Sequence, residues 1–202
     1  MKKSILALNN YDKLVEKTVN SLKSDEVVLL PTETVYGLMT CYENEAGKAR
    51  IIQIKNRPEN KLFQMLISSL KQAEAAGAVF DQQAEKLADA FWPGAMTLVV
   101  PSKSGGTIGL RLPNHQFICD VINQLGKPLA ATSANLSGLP PLKTLTGIDD
   151  YFVNEQPDLI IDEGERVGNT ASTVVSLCNG KVDILRVGVI TEAEIINCLH
   201  NL

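Results

Sequence analysis

The sequence predicts an α/β protein in which helices pack on one twisted sheet of mixed parallel and antiparallel strands. Short runs rich in Val, Ile and Leu alternate with segments of helical periodicity. Their alternation is irregular, and some neighbouring runs read as hairpins, which argues against a purely parallel, doubly wound sheet. The length of 202 residues suits one large domain, so we expect a single domain spanning 1–202.

Helices are predicted wherever apolar residues recur on one helical face. In the first helix, Leu14, Val15 and Val19 share such a face. Gly126 is a typical helix terminator, and Thr191 is a plausible N-cap for the last helix. The predicted helical segments are 11–22, 46–54, two short helices within 73–91 interrupted near Gly77, 117–125 and 192–199.

Strands are predicted from short apolar runs bounded by turn residues. The run 27–30 is continuously apolar, as expected of a strand covered on both faces, and Pro31 ends it because proline has no N–H to donate. The runs 95–100 and 107–112 are joined by a Ser/Gly segment and predict a hairpin. The other predicted strands are 63–67, 128–131, 159–161, 173–177 and 182–185, with loops at 137–150 and 162–171.

Composition narrows the class of protein. The chain is 45% hydrophobic and 21% charged, which is ordinary for a soluble globular protein. Its net charge of −4 predicts no broad nucleic-acid footprint, so any anion site must be local. Four scattered cysteines without a CxxC pair indicate reduced thiols. A signal peptide and a membrane-spanning run are both absent from the sequence, which predicts a cytoplasmic protein without a membrane partner.

Three polar clusters are candidates for chemistry. The segment 31–38 places hydroxyls and Glu33 just past a strand end, where α/β folds tend to bind ligands. Lys55 and Arg57 could form an anion clamp if the helix unwinds before Pro58. The segment 130–138 runs from a strand into small hydroxyl and amide side chains that can bind phosphate or ribose oxygens.

Each cluster also has a plain structural interpretation. Hydroxyls at a strand exit can satisfy nearby backbone, cations at a helix end favour the negative end of its dipole, and Ser/Asn-rich turns are common. Single arginines at strand ends, such as Arg111 and Arg186, usually face solvent. Ser172 and Thr173 begin a strand, where β-propensity alone explains the threonine.

Several common chemistries have little support in the sequence. Of the two histidines, His200 lies near the chain end and His115 has no evident partner, so neither a catalytic triad nor a histidine metal site is expected. Walker A and GxGxxG patterns are absent. A nucleotide would therefore have to bind to another architecture.

An ordered set of motifs closely resembles the YrdC-like family, the threonylcarbamoyl-adenylate synthases, over about residues 24–188. One such motif would be weak evidence for membership of the family, whereas the whole set in this order is specific to the family. The motifs are Pro-Thr-Glu-Thr-Val-Tyr-Gly-Leu at 31–38, Lys-x-Arg-Pro at 55–58, Trp-Pro-Gly at 92–94 with Thr-Leu at 97–98, Arg-x-Pro at 111–113, Ser-Ala-Asn-Leu-Ser-Gly at 133–138, Ser-Thr-Val at 172–174 and Arg-x-Gly at 186–188.

The resemblance implies a fold and a reaction. The family fold is a twisted, mixed α/β sheet with a deep, locally positive central cleft. The reaction joins L-threonine, bicarbonate (or CO2) and ATP into threonylcarbamoyl-adenylate and releases pyrophosphate, as a nucleotidyltransferase does. The product feeds t6A modification of tRNA position 37. The implied cofactor is Mg²⁺, held mainly by ATP, and the implied partners are downstream t6A transfer proteins, with a weak contact to tRNA.

The resemblance also implies roles for individual residues. Lys55 and Arg57 correspond to the catalytic phosphate clamp. The implied L-threonine contacts are Thr34, Arg111, the Ala131 backbone and Ser172. The implied ATP contacts are Lys55, Arg57, Asn60, Thr107, Ser133, Asn135 and Arg186. Because some relatives with this fold are associated with RNA, the competing hypothesis is a double-stranded RNA or tRNA-binding paralogue without synthase activity. The acidic pI of about 5.3 argues against it.

Overall fold

The computed structural model describes residues 2–5, 10–56, 62–153, 155–166, 170–178 and 180–200. In that part of the chain, ten strands form one sheet in the order β1-β8-β2-β3-β7-β4-β6-β5-β9-β10. The strands are β1 (Lys2–Ile5), β2 (Val28–Leu30), β3 (Gly37–Cys41), β4 (Gln64–Leu66), β5 (Met96–Pro101), β6 (Thr107–Arg111), β7 (Leu129–Ser133), β8 (Leu159–Asp162), β9 (Thr173–Cys178) and β10 (Lys181–Arg186).

The pairing mixes both strand directions, which confirms the predicted mixed sheet. Parallel pairs are β1–β8, β2–β8, β4–β6 and β5–β9. Antiparallel pairs are β2–β3, β3–β7, β4–β7, β5–β6 and β9–β10. The β5–β6 pair is the predicted hairpin.

Helices pack on the sheet and bury three apolar clusters against it. They are α1 (Tyr11–Lys23), α2 (Glu45–Lys55), α3 (Leu70–Ala75), α4 (Gln82–Phe91), α5 (Gln116–Leu125), α6 (Ile148–Tyr151) and α7 (Glu192–His200). In β2, Val28 and Leu30 join the cluster beneath α1 and α5, whereas Leu29 joins the cluster beneath α2 and α6. The prediction that this strand is covered on both faces is confirmed.

Local signals place the helix ends where the sequence predicts them. Gly126 adopts the left-handed conformation at the end of α5, with φ of 75°. At α7, the Glu194 N–H donates to the Thr191 hydroxyl at 3.3 Å, and the Glu194 carboxylate accepts from the Thr191 N–H at 2.7 Å. This reciprocal pair is a capping box and confirms Thr191 as the N-cap.

Two segments depart from the prediction because they pair with each other. The segment after Pro31 continues into β3, and β7 extends through Thr132 to Ser133 instead of ending at Ala131. Gly37 lies opposite Ser133, and Leu38 lies opposite Thr132. β3 is mostly apolar and fully buried, and the polar residues Thr132 and Ser133 become strand by pairing with it, so the ends of two candidate clusters lie on adjacent strands. The strand β1 and the four-residue α6 were also not predicted.

The cysteines and the helix lengths bear on two predictions made from composition. All four cysteine thiols are free, as expected for reduced thiols. Among the described residues, we find no helix with both the length and the apolar character needed to span a membrane.

Gly188 follows β10, where the chain passes close to the start of β9. A Cβ atom at this position would lie 2.6 Å from the Thr173 amide nitrogen, too close for an unshifted backbone. We expect Gly188→Ala to lower the free energy of unfolding by about 3 kcal/mol, because the clash is with backbone and not with a mobile side chain. Urea unfolding measures this change. Gly109→Ala is the matched control, since its Cβ would meet Val99 at an ordinary 3.6 Å; equal losses in both variants would contradict the account.

Candidate active site

A cavity of about 970 Å³ brings the candidate clusters together. Its wall combines the segment after β2, the end of α2, the end of β7 and the polar ends of β6, β9 and β10. Nine residues with predicted roles line it: Thr34, Lys55, Thr107, Arg111, Ala131, Ser133, Asn135, Ser172 and Arg186. Arg57 and Asn60, which also have predicted roles, lie outside the described residues.

Arg111 is almost completely buried in this wall. Its side chain is 3% exposed, so the expectation that strand-end arginines face solvent is wrong here. Nη2 lies 2.7 Å from Glu33 Oε1 and donates to Thr34 Oγ1 at 3.0 Å, while Nε donates to the Gly94 carbonyl at 3.1 Å. These bonds leave Nη1 without a partner in the described structure, and they fix the plane of the guanidinium.

The two threonines of the first cluster differ in function. Thr32 Oγ1 accepts from the Val35 N–H at 3.1 Å and donates to the Val35 carbonyl at 2.6 Å. With its only proton used, Thr32 accepts from the Thr34 hydroxyl, 2.9 Å away. Hydrogen bonds therefore run from Arg111 through Thr34 to Thr32. The plain interpretation, that hydroxyls satisfy local backbone, holds for Thr32, whereas Thr34 faces Arg111.

Lys55 joins the second cluster to the third. It is the last residue of α2 and only 4% exposed. Its ammonium donates to the Asn135 carbonyl at 2.8 Å, to Asn135 Oδ1 at 2.9 Å and to the Ser133 carbonyl. A lysine at this helix end therefore does more than complement the helix dipole, because it anchors the chain after β7.

The Asn135 amide is fixed in one orientation. Its Oδ1 also accepts from the Ser133 hydroxyl at 2.5 Å, and its Nδ2 donates to the carbonyls of Leu136 and Leu139 at 2.9 and 2.7 Å. The third cluster is thus a turn held by its own amide, as the plain interpretation expects, and it also forms part of the cavity wall.

A second chain of hydrogen bonds begins at Arg186. Its Nη2 donates to the Ser172 carbonyl at 2.8 Å and to the Ser172 hydroxyl at 3.2 Å. Thr97 Oγ1 donates to Gln64 Oε1 at 2.9 Å, so the Ser172 hydroxyl, 3.0 Å away, donates to Thr97. Neither Gln64 nor Thr97 is among the residues with predicted roles, although Thr97 belongs to one of the family motifs.

The two arginines differ in charge compensation. Arg111 pairs with Glu33, whereas Arg186 has no carboxylate within ion-pair distance in the described part of the chain. Burial and the nearby charge of Arg111 lower the pKa of Arg186. The described lining contains three basic side chains and no acidic one, which makes the cavity locally positive.

The loop after β8 forms hydrogen bonds with Tyr36 of the first cluster. The Tyr36 hydroxyl donates to the Gly164 carbonyl at 2.7 Å and accepts from the Glu163 N–H at 3.0 Å, and burial raises the pKa of Tyr36 to about 12. His115 Nε2 lies 3.1 Å from Glu163 Oε2, so the expectation that this histidine lacks a partner is wrong. Neither ring lines the cavity.

Relatives share both sequence and structure with this chain. The profile of the Sua5/YciO/YrdC family, described as "Telomere recombination", matches residues 20–188. The threonylcarbamoyl-AMP synthase of Pyrococcus abyssi (strain GE5 / Orsay) is 34% identical over 183 residues, covering 86% of this chain and 54% of the relative. That of Bacillus subtilis (strain 168) is 33% identical over 199 residues, covering 93% of this chain and 57% of the relative. This chain therefore spans little more than half the length of these two relatives.

A solved structure confirms the predicted fold class. The crystal structure of P. abyssi Sua5 complexed with L-threonine matches with a TM-score of 0.87 and 29% identity, covering 98% of this chain and 60% of that chain. The family profile spans most of the sequence, and the motifs that suggested the resemblance fall within the matched range. The chain therefore belongs to the Sua5/YciO/YrdC family.

Proposed function

We propose that this chain is an L-threonylcarbamoyladenylate synthase, a nucleotidyltransferase that uses L-threonine, bicarbonate or CO2, and ATP. The observation that carries this proposal is one cavity with two arginine networks: Arg111 is buried and paired with a carboxylate, whereas Arg186 is more exposed and has no carboxylate partner among the described residues. The carboxylate of an amino acid and the phosphates of a nucleoside triphosphate need two neighbouring anion sites. The names of the relatives and the threonine-bound Sua5 structure support the choice of substrates.

In this proposal L-threonine binds at the Arg111 end of the cavity. Nη1 of Arg111 donates to the substrate carboxylate, while Nε and Nη2 stay engaged with the protein. Thr34, the Ala131 backbone and Ser172 complete the amino-acid subsite. The guanidinium loses little conformational freedom on binding, because the protein has already fixed its plane.

ATP binds at the Arg186 end. Arg186 and Lys55 supply positive charge, and Ser133, Asn135 and Thr107 face the nucleotide. Lys55 also holds the turn that carries Ser133 and Asn135, so one side chain contributes charge and geometry together. Arg57 and Asn60 complete the phosphate clamp in this proposal.

The chemistry requires positioning more than a dedicated base. The threonine ammonium first releases a proton to water; the free amine then attacks CO2, the C–N bond forms as one C–O π bond breaks, and a second N–H proton passes to water, giving a carbamate. A carbamate oxygen then attacks the α-phosphorus of ATP, and the bond to the bridging oxygen breaks to release pyrophosphate. The basic side chains of the cavity screen the repulsion between these anions and hold the attack in line.

Mg²⁺ is the expected companion of ATP. Within the described residues, no group of three or more His, Cys, Asp or Glu side chains could hold a metal ion, and the described lining offers no carboxylate. This residue set fits an ion held by phosphate oxygens and water. When bound, Mg²⁺ neutralises part of the triphosphate charge.

The assay uses the purified chain with ATP, Mg²⁺, bicarbonate and labelled L-threonine. We expect pyrophosphate release that depends on threonine and bicarbonate, together with an adenylate that carries the label. ATP turnover unaffected by threonine, or no labelled adenylate, would contradict the proposal. Salt-sensitive binding of double-stranded RNA without adenylate formation would favour the RNA-binding alternative. Transfer of the product to tRNA position 37 by partner proteins is the next step of the same proposal.

A further inference from the structure

Glu33 lies behind the cavity wall and touches Arg111 from outside. Its Oε1 lies 2.7 Å from Arg111 Nη2 and also accepts from the Asn114 N–H at 3.0 Å. Glu33 is not among the residues that line the cavity. Its carboxylate therefore does not face the cavity, and Arg111 is the lining residue with which it pairs.

The pair compensates a buried charge. The Arg111 side chain is 3% exposed, and without Glu33 its charge would be buried without a counter-charge. Glu33 Oε2 is itself buried and has no hydrogen-bond partner within the described residues, which costs free energy. Besides accepting hydrogen bonds, the Glu33 carboxylate therefore has an effect on the charge of Arg111.

That effect is electrostatic. A guanidinium beside a carboxylate has almost no net charge at a distance, so it attracts a polyanion weakly, yet its N–H groups still bind a carboxylate directly. Arg186, by contrast, keeps its charge uncompensated in the described structure. L-threonine is a zwitterion without net charge, whereas ATP and pyrophosphate carry several negative charges.

We propose that Glu33 determines specificity by sorting the two substrates, excluding polyphosphates from Arg111 so that the zwitterionic amino acid binds there. This inference rests on the proposed function, since it assigns the amino acid to the Arg111 end. Without the Glu33 charge, Arg111 would become a second phosphate site inside the same cavity.

The test compares L-threonine binding by calorimetry in chloride and in sulfate at equal ionic strength. Glu33→Gln keeps the size of the side chain and an acceptor oxygen but removes the charge. We expect sulfate to leave the wild-type Kd within about twofold and to weaken threonine binding to Glu33→Gln by about tenfold, as expected when an anion competes for one charge-assisted contact. Equal sulfate sensitivity of the two proteins would overturn the proposal.

Two further variants separate charge from shape. Glu43→Gln removes an exposed ion pair of the same 2.7 Å length, with Lys127, and should behave as the wild type does. Glu33→Asp keeps the charge and should keep the tolerance of sulfate even if its affinity for threonine falls. A sulfate-sensitive Glu33→Asp would show that shape and not charge excludes the anion, which also overturns the proposal.

A second titration, with inorganic pyrophosphate alone, separates this inference from the proposed function. We expect Glu33→Gln to bind more pyrophosphate per chain than the wild type. If the wild type fails to bind L-threonine, the proposed function is wrong, and the pyrophosphate titration still decides the role of Glu33. Equal pyrophosphate stoichiometry in the two proteins would reject the sorting role.

Discussion

Replacing Lys55 with methionine is expected to lower the free energy of unfolding by about 3 kcal/mol and to abolish adenylate formation. The variant removes the ammonium that donates to the carbonyls of Ser133 and Asn135 and to the Asn135 side-chain oxygen, and the Asn135 carbonyl depends most on it because the other two acceptors keep a second donor. Methionine fills a similar volume, so packing changes little. Loss of the ammonium also removes one of the three basic side chains among the described lining residues.

Urea unfolding measures the stability change, and threonine-dependent pyrophosphate release measures activity. The control is Lys127→Met, because Lys127 forms its 2.7 Å ion pair with Glu43 on the surface, where its side chain is 55% exposed. This control should unfold and react as the wild type does. Wild-type stability in Lys55→Met would show that its three acceptors do not tie α2 to the chain after β7.

Replacing Arg111 with lysine is expected to raise the KM for L-threonine by at least about 100-fold and to leave ATP binding unchanged. One ammonium cannot reproduce the bonds to Glu33, Thr34 and Gly94 while still presenting a donor to the substrate. The remaining charge should keep the pair with Glu33, so the fold is retained.

Arg186→Lys is the reciprocal variant, because it removes the guanidinium proposed to bind the ATP phosphates. It should weaken ATP binding strongly and L-threonine binding only slightly, since Ser172 of the amino-acid subsite loses its bonds to Arg186 but keeps its contact with Thr97. Separate titrations of each substrate against each variant give the comparison. If both variants weakened both substrates equally, the division of the cavity into two subsites would be wrong.

The sequence predicts those parts of the fold that local signals control. The apolar run before Pro31, the Ser/Gly hairpin, Gly126 at a helix end and Thr191 at an N-cap each carry a local physical cause. The extension of β7 could not be predicted, because the polar residues Thr132 and Ser133 become strand only by pairing with β3. β3 itself has five residues without strict alternation of polarity, which is a weak strand signal.

In the candidate site, too, the sequence predicts some features and not those that depend on contacts between distant residues. Motif resemblance identified nine residues that the structure brings into one cavity, although the roles assigned to them remain predictions. The part played by Glu33, Gln64 and Thr97 depends on hydrogen bonds between residues far apart in sequence. Spacing along the chain carries no signal for such contacts, and only the folded arrangement shows how each arginine is held.

The most direct test of the two-subsite cavity is a crystal structure of this chain with L-threonine and a non-hydrolysable ATP analogue. We expect the threonine carboxylate on Arg111 and the phosphates beside Arg186 and Lys55, with the threonine amine pointing toward the α-phosphate. Phosphates bound to Arg111, or threonine bound outside the cavity, would contradict the division of the cavity into two subsites.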